Sequence, residues 1–349
     1  MEKLYISLDE GDKARRFDKQ DERLQQRSYS DVDEFLKQSL ADVSACAQTR
    51  AGRATSNEPP RAHDAIFVDG ARGTGKTAFL LNIKGAMSSE GFHFCSPIDP
   101  TLLEKNETFL NVIIAKLHDE VKRRPERRMG TDYHKALDGV SRAIATISDG
   151  ETTQPGMDRI LSHREGIGLI GSLDTYYAEV CNVLGKNAVV LAIDDIDMSF
   201  KDAFGVLDTI RRYLASPLII PVVTGDFSLY RHLVSERFRR DLSGKRGVQE
   251  TTFDSAHLAE EYLRKVLPTH RRTSLLTAPQ LIEQHEIELR FGLKTAPLST
   301  VLWFLKHLMY RQTNGVEGSH PDFLPQSTRG LVQRGGLRNS DRRTSGFPA

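Results

Sequence analysis

The sequence predicts an α/β fold, a doubly wound parallel sheet followed by a helical lid. Three observations carry that expectation. Residues 187–193 are apolar after the first position, the pattern of a central strand covered on both faces. Residues 65–69 form a second short apolar run that leads through a glycine-rich turn into a helical pattern at 78–84. Strand and helix patterns then alternate as far as residue 254, the order that right-handed crossovers turn into a parallel sheet.

The remaining elements follow in order. Residues 4–8 alternate and read as a strand, and residues 11–30 are charged and irregular. Asp31 is placed to cap a helix running to about 48, with Val32, Phe35, Leu36, Leu40, Val43 and Ala47 on one face. Residues 51–64 are a polar loop. Residues 91–96 read as a strand stopped by Pro97, and 107–123 as an amphipathic helix carrying Phe109, Leu110, Ile113, Ile114 and Leu117. The polar stretch from about 123 to 165 reads as an insertion, partly helical.

Helices are expected at 172–184, 202–214 and 227–240, and strands at 218–224 and 248–253. Pro221 argues against a central place for the first of those strands. From Ser255 onward helix is expected to follow helix, clearest at 257–267 and at 298–309, where Val301, Leu302, Leu305 and Leu308 share a face. The resulting segments are 1–64 (strand, helix and linker), 65–254 (α/β core), 255–332 (lid) and 333–349 (a disordered tail).

Composition narrows the functional classes. Of 349 residues 39% are apolar and 27% charged, an ordinary globular balance. Lys and Arg number 48 against 47 Asp and Glu, so any nucleic-acid contact must come from local patches. Cys46, Cys95 and Cys181 are far apart and form no metal-binding pair. The N-terminus has no signal-peptide core and no run approaches the roughly 20 apolar residues of a membrane span, so a cytoplasmic chain without membrane contact is expected.

The chemistry is concentrated in residues 70–77, Gly-Ala-Arg-Gly-Thr-Gly-Lys-Thr, which match G-x-x-x-x-G-K-[ST] at every fixed position. In this pattern Gly73 and Gly75 let successive backbone N–H groups converge on one phosphate cluster, and the following helix adds the positive end of its dipole. Lys76 supplies a cation for the β- and γ-phosphates, and Thr77 a hydroxyl for Mg²⁺. Gly70, Arg72, Thr74 and Ala78 complete the expected nucleotide contacts.

The second candidate is the acidic end of the 187–193 run. Asp194 is placed to hold Mg²⁺, and Asp195 to act as general base on the attacking water. Asp197 reads instead as a turn or capping residue. Thr224 ends the next strand, either as a hydrogen-bonding group for water or γ-phosphate or as a turn-forming residue of Thr-Gly-Asp. Arg237, Arg239 and Arg240 form a basic helix end, readable as an arginine finger or as a solvated complement to the helix dipole.

Taken in order, residues 70–77, 191–195, Thr224 and the Arg237 cluster resemble the Walker A, Walker B, sensor 1 and arginine-finger series of an AAA+ ATPase. Residues 259–268 look like the first lid helix of the branch that contains origin-recognition ATPases, and 321–331 are similar to its sensor 2 segment. The resemblance covers residues 31–332. It implies a P-loop NTPase core with a helical lid, ATP and Mg²⁺ as ligands, hydrolysis, and a homo-oligomer acting on a protein partner. It also implies a nucleotide contact from Arg329, with Arg338 as the alternative.

The chain departs from the usual Asp-Glu in having Asp194-Asp195, and Asp-Asp-hydrophobic-Asp also resembles KAP and STAND NTPases. That likeness implies a slow, nucleotide-gated switch of the kind many bacterial defence and signalling proteins use. A third reading is a nucleic-acid loader, motivated by the basic clusters at 123–128 and 270–272 but lacking a recognition helix. A guanine-reading N-K-x-D is absent from the sequence, which ranks GTPase chemistry below adenine-nucleotide chemistry.

Overall fold

The computed structural model describes residues 3–7, 16, 23–52, 61–62, 65–88, 90–102, 108–124, 129–149, 157–196, 202–242 and 248–304. In chain order they form β1 (Lys3–Ser7), α1 (Gln26–Gly52), β2 (Ile66–Asp69), α2 (Lys76–Ala86), β3 (Phe92–Phe94), α3 (Phe109–Lys122), α4 (Thr131–Asp149) and α5 (Met157–Leu184). There follow β4 (Ala188–Ile193), α6 (Ala203–Tyr213), β5 (Ile219–Gly225), α7 (Phe227–Leu242), α8 (Val248–Val266), β6 (Arg272–Ser274), α9 (Ala278–Gln284), β7 (Glu286–Phe291) and β8 (Lys294–Pro297). Residues 298–304 are again helical. Among the described residues no helix is long and apolar enough to cross a membrane.

A five-stranded parallel sheet has the order β3-β4-β5-β2-β6. Registers run Phe92 to Ala188 between β3 and β4, and Val189 to Ile219 between β4 and β5. All six residues of β4 and all seven of β5 are buried. Burial on both faces is why their sequences are unbroken apolar runs rather than alternations. Pro221 lies within β5, opposite Leu191, so its missing N–H did not exclude it from an interior strand.

Two compact units interleave along the chain: residues 1–31, 68–87 and 273–349 in one, 32–67 and 88–272 in the other. The core of the second unit joins Val189, Leu191 and Ile193 of β4 to Ile113 and Leu117, Tyr176 and Val180, Val206 and Ile210, and Leu263 and Val266. The spacing of each helical pair, three or four residues, is what puts both on one helix face.

In the first unit β1 pairs in parallel with β7, Lys3 opposite Glu286, and β7 turns back into β8 through Gly292 at φ 56°. Leu4, Ile6, Ala278, Leu281, Ile287, Leu289 and Leu298 form a small core of their own. Thr277 and Gln280 close a capping box at the start of α9.

Four expectations change. Helix α1 starts at Gln26, five residues before Asp31. Residues 131–149 form a long helix where a partly helical insertion was expected, and the helix expected at 172–184 starts earlier, at Met157, inside that stretch. Residues 248–253 belong to α8, not to a strand. The β-branched pair Thr251-Thr252 suggests a strand, but no breaker separates it from the helical stripe Ala259, Leu263, Val266. The region after Ser255 is not helical throughout, since β6, β7 and β8 lie in it. Glu-Ile-Glu-Leu-Arg-Phe at 286–291 followed by Gly-Leu carries the alternation and turn signal of a hairpin. The helix at 298–304 follows expectation to its last described residue, whereas Leu305, Leu308 and the 333–349 tail lie outside the described residues.

A buried ionic cluster fastens α3 to β3 in the second unit. His93 Nε2 lies 3.3 Å from Glu120, and the backbone N–H and Oγ of Ser96 donate to the same carboxylate at 3.3 and 3.1 Å. Lys116 donates to Ser96 Oγ at 2.6 Å. The His93 hydrogen bond is the main cause that holds the Glu120 carboxyl at about 2, below its ordinary 4.5; burial opposes it and the Ser96 bonds reinforce it. A depressed carboxyl pKa gives stability that is present above 4.5 and lost as pH falls toward 2. The melting temperature is therefore expected to drop through that window. Glu120→Gln should flatten the drop while costing about 1–3 kcal/mol at neutral pH, as measured by thermal denaturation across pH.

Candidate functional site

In the first unit the glycine loop leaves β2 at Asp69 and enters α2 at Lys76. Gly73 has φ 86°, and Gly75, the N-cap of α2, has φ 95°. Both lie in the left-handed region that side chains resist, so the two glycines are needed for this path. At Gly70 an added Cβ would lie 2.6 Å from Thr74 Oγ1 and 3.3 Å from Leu275. Thr74 is buried and closes the turn on itself, its N–H and Oγ1 donating to the Ala71 carbonyl at 3.3 and 2.9 Å.

Lys76 is only 8% exposed and its Nζ donates to the Gly70 carbonyl at 3.3 Å, which folds the ammonium back over the loop. Arg72 and Thr77 are exposed, and Ala78 is half-buried. No side chain caps α2, and its first amides have no intrahelical acceptor. A left-handed glycine turn, a helix start with no side-chain cap and a buried lysine form a donor set suited to anionic oxygens.

The second unit holds the acidic strand end. Asp194 is 5% exposed and Thr224 is fully buried. The register that sets Ile193 opposite Val223 brings the next residues of each strand together, and Thr224 Oγ1 donates to Asp194 Oδ1 at 2.6 Å. The Asp195 N–H donates to the same oxygen at 3.1 Å. Oδ1 is thereby fixed, while Oδ2 has no partner among the described residues. A buried carboxylate with one oxygen tied and the other open suits single-point coordination of a hard cation.

Asp195 itself has φ 48°, left-handed for a residue with a side chain. Strain of that kind costs about 1–3 kcal/mol and is typical of functional positions. Asp194 and Thr224 are thus brought together, and the Thr224 proton is engaged by Asp194, leaving its lone pairs rather than its O–H for any further ligand.

Tyr230 supports this end of the sheet from below. Its hydroxyl donates to the Thr224 carbonyl at 2.9 Å, and its ring packs on Phe67 at 5.6 Å. A Cβ at Gly225 would lie 2.6 Å from Tyr230 Cζ, which accounts for glycine after Thr224.

The basic helix end of α7 is engaged locally. Arg237 pairs with Asp241 at 3.2 Å and lies 5.7 Å over the Phe204 ring, and Arg239 pairs with Glu236 at 2.9 Å. Arg240 is exposed. Such exposed pairs are weak and are readily exchanged for another anion. Asp197, Arg329 and Arg338 lie outside the described residues.

The cluster at 270–272 is not a basic surface. Arg271 is 4% exposed and donates to Ser39 Oγ at 2.6 Å and to the Phe35 carbonyl at 3.2 Å. Arg272 donates to the Leu267 carbonyl and stacks 4.2 Å over Phe227. Of the 123–128 cluster only Arg123 and Arg124 are described, both exposed.

Among the described residues no group of three or more His, Cys, Asp and Glu side chains could by itself hold a metal ion. A Mg²⁺ ion coordinated here would need oxygens from water or a phosphate besides Asp194, which is how Mg²⁺ is commonly held. Sequence reasoning did not find Gln25 or Tyr230, which bond the Thr74 and Thr224 carbonyls, or Tyr29, which bonds the Phe79 carbonyl in α2. The chain matches none of the family models and none of the curated proteins with which it was compared.

Proposed function

We propose that the chain is a Mg²⁺-dependent, AAA+-like ATPase of P-loop type that assembles with copies of itself and acts on a protein partner in the cytoplasm. The observation that carries the reading is the conformation of residues 70–77, with Gly73 and Gly75 left-handed and Lys76 folded over the loop. In this reading the loop amides and Lys76 grip the β- and γ-phosphates of ATP. Mg²⁺ would offset charge building on the phosphate oxygens, and Thr77 and Asp194 are the residues that would offer it oxygen ligands. Asp195 takes the proton of the attacking water, and Thr224 keeps the Asp194 carboxylate from turning. Arg237, Arg239 and Arg240 serve a neighbouring copy, exchanging their local partners for a γ-phosphate, and Arg329 contacts the nucleotide.

A slower, switch-like cycle is the second reading, and the Asp195 backbone favours it. A short carboxylate held at φ 48° reaches less far toward water than a glutamate would. Of the two clusters behind the nucleic-acid reading, 270–272 offers less support with Arg271 and Arg272 engaged internally, while Arg123 and Arg124 of the other are exposed.

The test is phosphate release from Mg·ATP by the purified chain over a range of protein concentrations. Specific activity that climbs with concentration and falls in the triple variant Arg237→Ala, Arg239→Ala, Arg240→Ala supports the shared-site ATPase. Constant slow release, unaffected by the triple variant, favours the switch. Absence of release together with absence of ATP binding refutes both.

A further inference from the structure

We propose that Gln25 is a positioning residue of the glycine loop: its carboxamide fixes the Thr74–Gly75 peptide so that the Gly75 N–H faces a bound phosphate chain. The proposal rests on reading residues 70–77 as a phosphate-binding loop and adds the element that sets the loop's amide direction.

Gln25 is 6% exposed and precedes α1 in the first unit. Its Oε1 accepts from the Leu276 N–H at 2.8 Å, and its Nε2 donates to the Leu276 carbonyl at 2.9 Å. This is the two-bond exchange a neighbouring strand would make, so the carboxamide lies flat along one backbone residue. The remaining Nε2 hydrogen serves the Thr74 carbonyl at 3.4 Å. Both Nε2 hydrogens are thereby engaged.

The segment that carries it is anchored independently. Ser28 Oγ donates to the Ser274 carbonyl at 2.9 Å, and Thr273 donates to Asp31 at 2.6 Å. Tyr29 stacks on Phe79 of α2 at 4.2 Å and donates to its carbonyl at 3.2 Å. Leu275, next to Leu276, donates its N–H to Asp69 at 2.7 Å, at the foot of the loop. Gln25 is therefore held against the loop by contacts outside it.

In a trans peptide the carbonyl and the N–H point in opposite directions. Among the described residues no peptide bond is cis. A Thr74 carbonyl held on the Gln25 side sends the Gly75 N–H to the other side, and that N–H has no partner among the described residues. Gly75 at φ 95° and ψ 28° lacks the Cβ that would oppose turnover of the preceding peptide, so an external hydrogen bond decides its direction. Glutamate at position 25 keeps the acceptor for Leu276 but has no donor for Thr74. Methionine keeps the length and has neither.

The experiment uses protein labelled with 1-¹³C-threonine and ¹⁵N-glycine. The sequence has two Thr–Gly pairs, 74–75 and 224–225, and Thr224→Val removes the second signal. In nucleotide-free Gln25→Glu and Gln25→Met the Gly75 amide is expected to shift or broaden. Mg·ATP affinity should fall about tenfold, as expected for one misdirected amide. A Gly75 signal unmoved in both variants overturns the positioning role, even where the wild type binds Mg·ATP. A moved signal in a protein that binds neither Mg·ATP nor Mg·pyrophosphate overturns the phosphate-loop reading instead, and with it the ligand assigned to Gly75.

Discussion

Lys76→Ala is expected to weaken Mg·ATP binding by about a hundredfold or more, equivalent to about 2.7 kcal/mol, while leaving the protein folded. The lysine is almost wholly withdrawn from water, and its ammonium is held over the loop by the Gly70 carbonyl. A buried, charge-assisted contact of this kind contributes about 1.5–3 kcal/mol, and no other lysine lies within residues 70–77 to replace it. Alanine is a good first residue for α2, so the helix is expected to persist in the variant. Affinity by calorimetry and melting temperature on the same preparation separate the two effects. A variant that binds as the wild type does would remove the lysine from the site.

Asp194→Asn is expected to abolish the Mg²⁺ dependence of nucleotide binding and to lower turnover about a hundredfold to a thousandfold. The substitution is nearly isosteric. An amide oxygen still accepts from Thr224 Oγ1 and the Asp195 N–H, so the strand ends stay together. What disappears is the negative charge and the open Oδ2, the atom the account assigns to the metal. Thr224→Val removes only one of the two bonds that fix Oδ1 and should weaken Mg²⁺ dependence less, by about tenfold. Titration of Mg²⁺ at fixed ATP, followed by phosphate release, ranks the variants. Equal Mg²⁺ dependence in the wild type and Asp194→Asn would exclude Asp194 as a ligand.

The parts of this fold that the sequence announces are those whose signal is local. Residues 70–77 carry their pattern in eight consecutive positions, and β4 and β5 are apolar because both of their faces are covered. The hairpin β7–β8 is equally local, in the alternation at 286–291 and the Gly-Leu that follows, although helix was expected there. Residues 248–253 show the opposite error, where local β-branching gave way to the packing of a longer helix.

The candidate site was legible only in part because its decisive contacts are long-range. Asp194 meets Thr224 across 30 residues, and the contact follows from the β4–β5 register, which no short pattern specifies. Gln25 meets Leu276 across 251 residues, from a segment whose charged composition reads as irregular. The left-handed backbone at Asp195 has no sequence signal beyond the tolerance of aspartate for that region.

The most direct test is calorimetric titration of ATP into the purified chain with and without Mg²⁺. Saturable binding at one site per chain is expected, strengthened by Mg²⁺ and lost in Lys76→Ala. Failure of the wild-type chain to take up ATP at millimolar concentration, with the metal present, would contradict it.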